Sequence, residues 1–358
     1  MKNYDDKYGK RSPIRQTKTL KRKLLKKSPD SDFEARRGRV VSLIGKTAIV
    51  LEFSEANAAA PGEIVEKYYE CVIAGALRTG NEDATLVAVG DEVGFITSVN
   101  NATASGLPAG MVVSVAERRS FLSRTANLYS HMQHVIAANV DSLLIIMSAA
   151  MPFYNRRLID RYLIASQIGV IEPALCINKM DLIEEPEIIL EDLEIYTSLG
   201  VKVFYVSVLE NRGMVELRDY VRDRTTVLSG PSGSGKSSIL NALIGDEVQA
   251  VSEISERTTK GRHTTSSARL FELPDGGEVI DSPGIREFGL WGADRENLPL
   301  MFPDFYPYQL DCKYKPCTHT HEPECKVLDA LEQGKIDVQR YESYLNIIDT
   351  LPEPSAFK

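Results

Sequence analysis

The segment from Gly230 to Ser237 reads Gly-Pro-Ser-Gly-Ser-Gly-Lys-Ser and matches the phosphate-loop pattern G-x-x-x-x-G-K-[ST]. It lies between an apolar run, Thr225 to Leu228, and a helical pattern, Ser238 to Leu243. Glycines there let backbone N–H groups turn toward phosphates, and the following helix adds its positive N-terminal end. We expect Lys236 to reach the β- and γ-phosphates and Ser237 to be a ligand for Mg2+. The predicted nucleotide contacts in this segment are Gly230, Pro231, Ser232, Gly233, Ser234, Gly235, Lys236, Ser237 and Ser238.

The motif Asn178-Lys179-Met180-Asp181 directly follows a second apolar run, Ala174 to Ile177. A carboxylate at the end of such a strand can accept hydrogen bonds from the N1 and 2-amino groups of guanine, whereas adenine offers no matching donors. Ligands of open α/β sheets bind at the carboxyl ends of the strands, where this motif is predicted to lie. The motif therefore predicts a site for GTP and GDP, with Asn178, Lys179 and Asp181 among its contacts.

Two further segments are typical of a nucleotide switch. Asp281-Ser-Pro-Gly284 follows the apolar pair Val279-Ile280, so its carboxylate can hold Mg2+ through water while the Gly284 N–H contacts the γ-phosphate. The hydroxyl of either Thr264 or Thr265, in Gly261-Arg-His-Thr-Thr265, could complete the Mg2+ shell. Each segment alone could be a surface turn, but together with a phosphate loop they indicate switch segments.

Three cysteines and a histidine near the C-terminus have the spacing of a metal site, Cys312-x4-Cys317-x-His319-x5-Cys325. Three thiolates and one imidazole complete a tetrahedral set, which is typical of one structural Zn2+ and leaves no open catalytic position. His321 could take the place of His319. In a reducing compartment such a cluster indicates metal rather than disulfides.

The residues around these motifs predict a multidomain protein. From Arg36 to about Arg124, five short β-rich runs are typical of a Greek-key barrel, and the OB-fold is the commonest five-stranded example. Such a barrel often binds nucleic acid, although it could be a neutral packing domain. The predicted strands are Gly38 to Ile44, Thr47 to Phe53, Tyr68 to Ala76, Asp91 to Val99 and Gly110 to Ala116.

From about Asn139 the pattern changes to apolar runs that alternate with helical periodicity. Ser142 to Met147 has the texture of a parallel strand buried on both faces, and Leu158 to Ile168 has helical spacing. This alternation predicts a doubly wound α/β domain. The predicted domains are a basic, disordered leader at 1–35, the OB-fold barrel at 36–124, a P-loop GTPase domain at 125–300 and a zinc-binding domain with helices at 301–358.

The order of the motifs indicates a circular permutation. In ordinary GTPases the phosphate loop comes first and N-K-x-D late, whereas here Asn178 precedes Gly230 and Asp281 comes last. A permutation keeps the site in space while the chain ends move. The segment after Asp281 leads directly to the C-terminal module, so nucleotide-dependent movement could be transmitted there.

The charge of the chain is unevenly distributed. Residues 1–30 carry eleven Lys and Arg against three Asp, so the other 328 residues hold a net charge of -16 within a total of -8. A basic tail on an acidic body favours a polyanion such as RNA, although it could be only a solubilising leader. With no apolar run of about 20 residues and no apolar signal-peptide core, we expect no membrane association and a cytoplasmic protein.

The barrel, the motif order and the Cys/His spacing together resemble the circularly permuted GTPases that depend on the small ribosomal subunit, the RsgA or YjeQ family. The resemblance covers about residues 36 to 350 and includes Gly261-Arg-His-Thr-Thr265 and Asp281-Ser-Pro-Gly-Ile-Arg-Glu287. It implies a late assembly factor that binds the small subunit and its rRNA and hydrolyses GTP there, and we expect a monomer. It also implies that Ser207 and Val208 back the guanine base.

By the same resemblance, His263 is the candidate to position or activate the attacking water. It could instead only pack the switch loop. Ile285 occupies the place where many GTPases carry a glutamine, and an apolar side chain cannot orient water, so slow intrinsic turnover is expected. The competing interpretations are another P-loop NTPase, such as an ATPase or kinase, and a nucleotide-gated RNA-binding module with negligible turnover.

Overall fold

A computed structural model describes residues 33–53, 67–74, 85–103, 105–125, 133–245, 268–282 and 289–351. The chain divides into two compact units. The first comprises residues 1–78 and 92–116, and the second comprises residues 79–91 and 117–358. The predicted basic leader at 1–35 lies almost entirely outside the described residues.

The first unit is a closed five-stranded barrel, as predicted. Its strand order is β1-β2-β3-β5-β4, and β1 also pairs with β4 to close the barrel. The β3–β5 pair is parallel and the other pairs are antiparallel, which is the Greek-key arrangement of an OB-fold. The strands are β1 (Phe33–Ile44), β2 (Thr47–Glu52), β3 (Tyr68–Ile73), β4 (Glu92–Ala102) and β5 (Pro108–Val115).

Strand β1 is longer than its predicted counterpart because it serves two partners. Its first half, Phe33 to Arg39, pairs with β4, whereas Gly38 to Ile44 pairs with β2. The register shifts between Val40 and Ser42, and such a bulge bends a strand sharply enough to help a small sheet close. Inward side chains from all five strands fill the interior, including the buried residues Val40, Val50, Cys71, Phe95 and Val112.

The second unit contains a mainly parallel sheet of six strands in the order β10-β9-β8-β11-β13-β12. In the part of this sheet that the structure describes, the β12–β13 pair is antiparallel and the other pairs are parallel. The predicted doubly wound α/β domain is therefore confirmed, and every residue of β8 is buried, as expected for a central parallel strand. The strands are β8 (Ser142–Ser148), β9 (Glu172–Asn178), β10 (Lys202–Tyr205), β11 (Thr225–Ser229), β12 (Arg269–Glu272) and β13 (Glu278–Asp281).

Within the described residues, four helices accompany this sheet: α1 (Arg156–Ile168), α2 (Pro186–Ser198), α3 (Met214–Val221) and α4 (Lys236–Ile244). Helix α1 begins two residues before the predicted start because the side chain of Asn155 caps it, accepting a hydrogen bond from the Leu158 backbone N–H. A hairpin precedes the sheet in the chain and belongs to the same unit. Its strands are β6 (Phe121–Thr125) and β7 (Gln133–Ala138).

The C-terminal part of this unit is built from short helices around an aromatic cluster. The helices are α5 (Tyr306–Gln309), α6 (Lys326–Glu332) and α7 (Val338–Ile348). The Phe305 ring centroid lies 5.3 Å from that of Phe302 and 5.0 Å from that of Tyr344. These rings attach α7 to the segment that enters the module. Among the described residues, no helix has the length and apolar character needed to cross a membrane.

Candidate nucleotide site and metal centre

The sheet order brings three predicted motifs to one edge. Strand β11 lies between β8 and β13, and the register places Leu228 opposite Asp281. Asn178 ends β9, on the far side of β8. Since these strands are parallel, the phosphate loop after β11, the Asn178 motif and Asp281 all lie at the carboxyl ends of neighbouring strands. The permuted chain order thus produces one continuous candidate site.

Glycines shape the phosphate loop because, without a side chain, they let neighbouring residues pack directly against its backbone. Gly233 and Gly235 have φ values of +85° and +88°, which L side chains rarely adopt. A Cβ atom on Gly235 would lie 2.1 Å from the Asn178 Nδ2 atom, and one on Gly230 would lie 2.1 Å from the Ile146 carbonyl oxygen. Helix α4 begins immediately afterwards at Lys236. The loop is therefore packed against its neighbours while its backbone precedes a helix N-terminus, the arrangement that favours phosphate binding.

Asn178 joins the guanine motif to the phosphate loop. It is buried, and its side-chain Nδ2 donates to the Ser234 carbonyl oxygen at 3.2 Å. Lys179 has a left-handed backbone, with φ of +63°, and its Nζ atom donates to the Met151 carbonyl oxygen at 2.6 Å. These two bonds tie β9 to the phosphate loop and to the turn that follows β8.

Asp181 is oriented by the fully buried Ser207. The Ser207 hydroxyl donates to Asp181 Oδ1 at 2.6 Å and accepts from the Glu210 backbone N–H at 3.1 Å. Val208 packs partly buried against the core beside it. Because one carboxylate oxygen is held by Ser207, the aspartate has a defined direction before any base arrives, which is the preorganisation that a specific hydrogen-bonding site needs.

Asp281 provides a carboxylate oxygen that is buried and has no hydrogen-bond partner among the described residues, Oδ1. Burial raises the pKa of Asp281, while the positive charges of Lys236 and Arg269 act in the opposite direction. An unpaired buried carboxylate oxygen is costly, and a divalent cation would relieve that cost. Asp281 therefore fits the predicted Mg2+ role.

Several predicted residues lie outside the part of the chain that the structure describes. They are His263, Thr264, Thr265 and Gly284. The predicted phosphate-loop contacts from Gly230 to Ser238 all lie within it: residues 230–235 form the turn after β11, and residues 236–238 begin α4.

The four predicted zinc ligands converge. Their ligand atoms all lie within 4.8 Å of one another in Cys312, Cys317, His319 and Cys325. The Cys312 and Cys325 Sγ atoms are 3.9 Å apart, and His319 Nδ1 lies 3.3 Å from Cys325 Sγ. Two sulfur atoms at tetrahedral positions about 2.3 Å from zinc would be separated by about 3.8 Å. The donor types and their spacing therefore fit a Cys3His zinc centre.

His319 rather than His321 belongs to this cluster. His319 is buried, with a left-handed φ of +54°, whereas His321 is exposed and its Nδ1 lies 2.8 Å from Thr320 Oγ1. The Tyr341 hydroxyl donates to the His319 carbonyl oxygen at 2.8 Å and the Tyr344 hydroxyl donates to that of Thr318. Helix α7 thus supports the backbone of the ligand loop, a common arrangement around metal sites.

Glu322 organises the same loop. It accepts hydrogen bonds from the Thr318 backbone N–H at 2.7 Å, the Thr318 hydroxyl at 2.6 Å and the Thr320 backbone N–H at 3.1 Å. Burial alone would raise the pKa of Glu322, but these and neighbouring hydrogen bonds lower it to about 2. The carboxylate therefore stays ionised and fixes the turn between two of the candidate ligands.

Sequence reasoning missed the residues that support the site from a distance. The Met151 carbonyl that holds Lys179, and the buried Tyr162 hydroxyl near the phosphate loop, carry no motif. Their roles depend on which loops and helices meet in the folded unit. A buried tyrosine or a backbone carbonyl has no local pattern by which its partner could be recognised.

Comparisons with known proteins agree with this geometry. The family model described as RsgA GTPase matches residues 115–291. A relative from Chlorobaculum parvum, named small ribosomal subunit biogenesis GTPase RsgA, is 44% identical over 277 residues, which cover 76% of this chain and 88% of the relative.

Two solved structures are similar over most of their length. The crystal structure of YjeQ from Thermotoga maritima matches with a TM-score of 0.63 and 28% identity, over 89% of this chain and 99% of that chain. The structure of YloQ, described as a circularly permuted GTPase, matches with a TM-score of 0.61 and 27% identity, over 89% and 97%. Together with the motif order along the six-stranded sheet, these similarities mean that the chain belongs to the RsgA GTPase family.

Proposed function

We propose that this protein binds the small ribosomal subunit, acts late in its maturation, and hydrolyses GTP to GDP and phosphate with stimulation by the subunit. The observation that carries the proposal is the meeting of Asp181, the phosphate loop and Asp281 at one edge of the sheet. GTP hydrolysis and a role in ribosome biogenesis follow from family membership. We propose that the protein acts as a cytoplasmic monomer, with rRNA as the contact surface.

Different residues of the site would bind different parts of the nucleotide. Asp181, oriented by Ser207, accepts the guanine donors, and Asn178 holds the phosphate loop beside the base site through the Ser234 carbonyl. Backbone N–H groups of the loop and the Lys236 ammonium bind the phosphates. The Ser237 hydroxyl and the Asp281 carboxylate would hold Mg2+, with Thr264 or Thr265 as a third contributor. Bound there, the cation would neutralise charge that develops on the β- and γ-phosphates.

We propose that Cys312, Cys317, His319 and Cys325 hold one structural Zn2+. A closed set of four protein ligands leaves no position for a substrate, so the ion would stabilise the module rather than take part in hydrolysis. The hydroxyls of Tyr341 and Tyr344 donate to backbone carbonyl oxygens of the ligand loop, and not to the ligand atoms of the cysteines and histidine. This support of the loop backbone favours a structural role for the ion.

The water-activating group is proposed to be His263. Ile285 cannot orient water, so turnover without the subunit should be slow, and placement of His263 beside the attacking water when the subunit binds would supply the missing group. In the His263→Ala variant we expect GDP affinity to change less than about twofold and subunit-stimulated hydrolysis to fall about 100-fold, at the lower end of general acid–base contributions. The His134→Ala variant, in the β6–β7 hairpin, is the matched control. Full stimulation in His263→Ala would leave His263 only a packing role.

The decisive experiment measures phosphate release from GTP and from ATP, with and without purified small ribosomal subunits. We expect hydrolysis that is selective for GTP and strongly stimulated by the subunit over many turnovers. Selectivity without stimulation would remove the ribosomal partner from the proposal while leaving the nucleotide site. A preference for ATP would contradict the role of Asp181, and a single turnover would favour a nucleotide-gated RNA-binding module.

A further inference from the structure

Helix α1 carries two buried polar residues that face in different directions. Asp160 and Tyr162 are both almost completely buried, with exposed fractions of 1% and 0%. Residues two apart on an α-helix are separated by about 200° around its axis. The helix therefore presents Asp160 to one neighbour and Tyr162 to another.

Tyr162 contacts the end of β11, directly before the phosphate loop of the candidate nucleotide site. The Ser229 hydroxyl donates to the Tyr162 hydroxyl oxygen at 3.1 Å, and Ser229 is the residue directly before the phosphate loop. The Ser282 hydroxyl lies 3.3 Å from Ser229 Oγ and donates to the Leu228 carbonyl oxygen at 2.7 Å. Ser282 directly follows Asp281. The three buried hydroxyls of Tyr162, Ser229 and Ser282 therefore link the candidate Mg2+ carboxylate, the phosphate loop and helix α1.

Asp160 faces the C-terminal part of the unit. It accepts a hydrogen bond from Arg340 Nη1, while Arg340 Nη2 and Nε donate to Asp304 Oδ2 at 2.6 and 3.2 Å. The Arg340 side chain is only 3% exposed, and its guanidinium carbon lies 4.8 Å from the centroid of the Phe302 ring. A buried guanidinium that binds two carboxylates has little freedom, because a shift of either partner leaves an uncompensated buried charge. Helices α1 and α7 are therefore held in a fixed relation.

Helix α7 continues this series of contacts to the metal centre. Tyr341 and Tyr344, one and four residues after Arg340, bind the carbonyl oxygens of His319 and Thr318. A displacement of α7 would thus act directly on the backbone of the ligand loop.

We propose that helix α1 couples the state of the nucleotide site to the zinc-binding module, through Tyr162, Ser229 and Ser282 on one side and Asp160, Arg340 and Asp304 on the other. A change at Asp281 between GDP and GTP would shift Ser282 and the hydrogen bond from Ser229 to Tyr162. The helix moves as one body, and the buried ion pairs pass the shift to α7. The proposal rests on guanine-nucleotide binding, but not on the ribosomal subunit. Arg340 and Tyr162 are then positioning residues.

Hydrogen exchange of the full-length, zinc-loaded protein tests this coupling. Amide exchange is compared between the GDP complex and the complex with a non-hydrolysable GTP analogue. In the unmodified protein we expect the rates in α7, residues 338–348, to differ by about fivefold, the lower end of typical allosteric coupling. Equal rates in the two complexes would overturn the proposal.

Two variants locate the coupling. Tyr162→Phe removes only a hydroxyl and should reduce the nucleotide-dependent difference in α7 to less than about twofold. Arg340→Lys keeps a positive charge but cannot bind two carboxylates as a fork, so it should reduce the difference in α7 and preserve that in α1. The difference should not vanish, because Arg156 of α1 also donates to Asp337, the N-cap of α7, at 3.1 Å. If either variant retained the full difference in α7, the proposed route would be wrong.

A matched control removes another buried tyrosine hydroxyl from the same unit. Tyr220 lies in α3, and its hydroxyl oxygen is 3.5 Å from Glu172 at the opposite, amino-terminal end of β9. Tyr220→Phe should therefore leave the difference in α7 unchanged, and its loss there would contradict the specific role of Tyr162. Zinc content and GDP affinity, measured for every variant, identify any that has lost its fold. No subunits are added, so absence of subunit-stimulated hydrolysis would not affect this result.

Discussion

At the scale of single residues, the selectivity of the nucleotide site depends on the acceptor character of Asp181. In Asp181→Asn one acceptor oxygen is replaced by an NH2 donor, which opposes the N1 and 2-amino donors of guanine. We expect GTP affinity to fall at least about 100-fold, as for the loss of charge-assisted hydrogen bonds in a buried site. Xanthine carries a carbonyl in place of the 2-amino group, so the variant should prefer xanthosine triphosphate. Equilibrium binding of fluorescent, non-hydrolysable analogues of GTP and of xanthosine triphosphate measures both effects.

The control for this prediction is Asp223→Asn. Asp223 is exposed in the turn before β11 and has a left-handed φ of +58°, a conformation that Asn tolerates well. The Asp223→Asn variant should bind GTP with the same affinity as the unmodified protein. If Asp181→Asn kept both its GTP affinity and its preference for guanine, Asp181 would not be the base-recognition residue.

The metal centre offers a second prediction for single residues, because the structure distinguishes two neighbouring histidines. His319→Ala removes a buried candidate ligand and should reduce bound zinc from one to less than about 0.2 per chain, since three remaining ligands hold the ion far more weakly. His321→Ala, a change at an exposed position, should keep the full zinc content. Elemental analysis after dialysis measures both. Loss of zinc from His321→Ala alone would reverse the ligand assignment.

At the scale of elements, the turn from β11 into α4 depends on glycine for two separable reasons. Gly235→Ala would place a methyl group 2.1 Å from Asn178 Nδ2 and would strain a backbone with φ of +88°. Gly200→Ala would strain a similar φ of +84° but would meet no atom within 4 Å. In each variant, the strained backbone should lower the free energy of unfolding by about 1–2 kcal/mol.

Only Gly235→Ala should also weaken GDP binding, by more than about tenfold, because it breaks the bond between Asn178 and the phosphate loop. Thermal unfolding and GDP titration separate the two effects. Equal GDP affinity in the two variants would show that the close approach of Asn178 to Gly235 is unimportant for binding.

At the scale of the whole molecule, the asymmetry of charge predicts how the chain meets RNA. The basic segment 1–30 has a net charge of +8 on an otherwise acidic chain, so its contacts with phosphates should release counterions. Removal of residues 1–30 should weaken subunit binding and reduce the slope of log K against log salt by about 3 or more, at about 0.7 per phosphate contact. Filter binding between 50 and 300 mM salt, on the order of physiological ionic strength, measures the slope.

Removal of residues 352–358 is the control, since that segment holds one Glu and one Lys and has no net charge. It should leave the slope unchanged. An unchanged slope after removal of residues 1–30 would mean that the basic segment does not contact RNA.

Local sequence patterns were enough to predict a candidate chemistry for the site and the type of each large element. Phosphate-loop, guanine and Cys/His motifs are local, because their spacing is imposed by a turn, a strand end or a tetrahedral ion. Five short β-rich runs predicted the barrel, and apolar runs that alternate with helical periodicity predicted the parallel sheet. The structure confirms both. The length of β1 was not predictable, since it depends on pairing with two different strands.

The residues that support the candidate site from outside the motifs could be identified from the folded chain but not from the sequence. The hydrogen bond from Ser207 to Asp181 joins residues 26 positions apart in the sequence, and that from Arg340 to Asp160 joins residues 180 positions apart. The choice of His319 over His321 likewise depends on which imidazole the loop buries. These partnerships arise from the meeting of distant segments in a close-packed core, and no local pattern records which segments will meet.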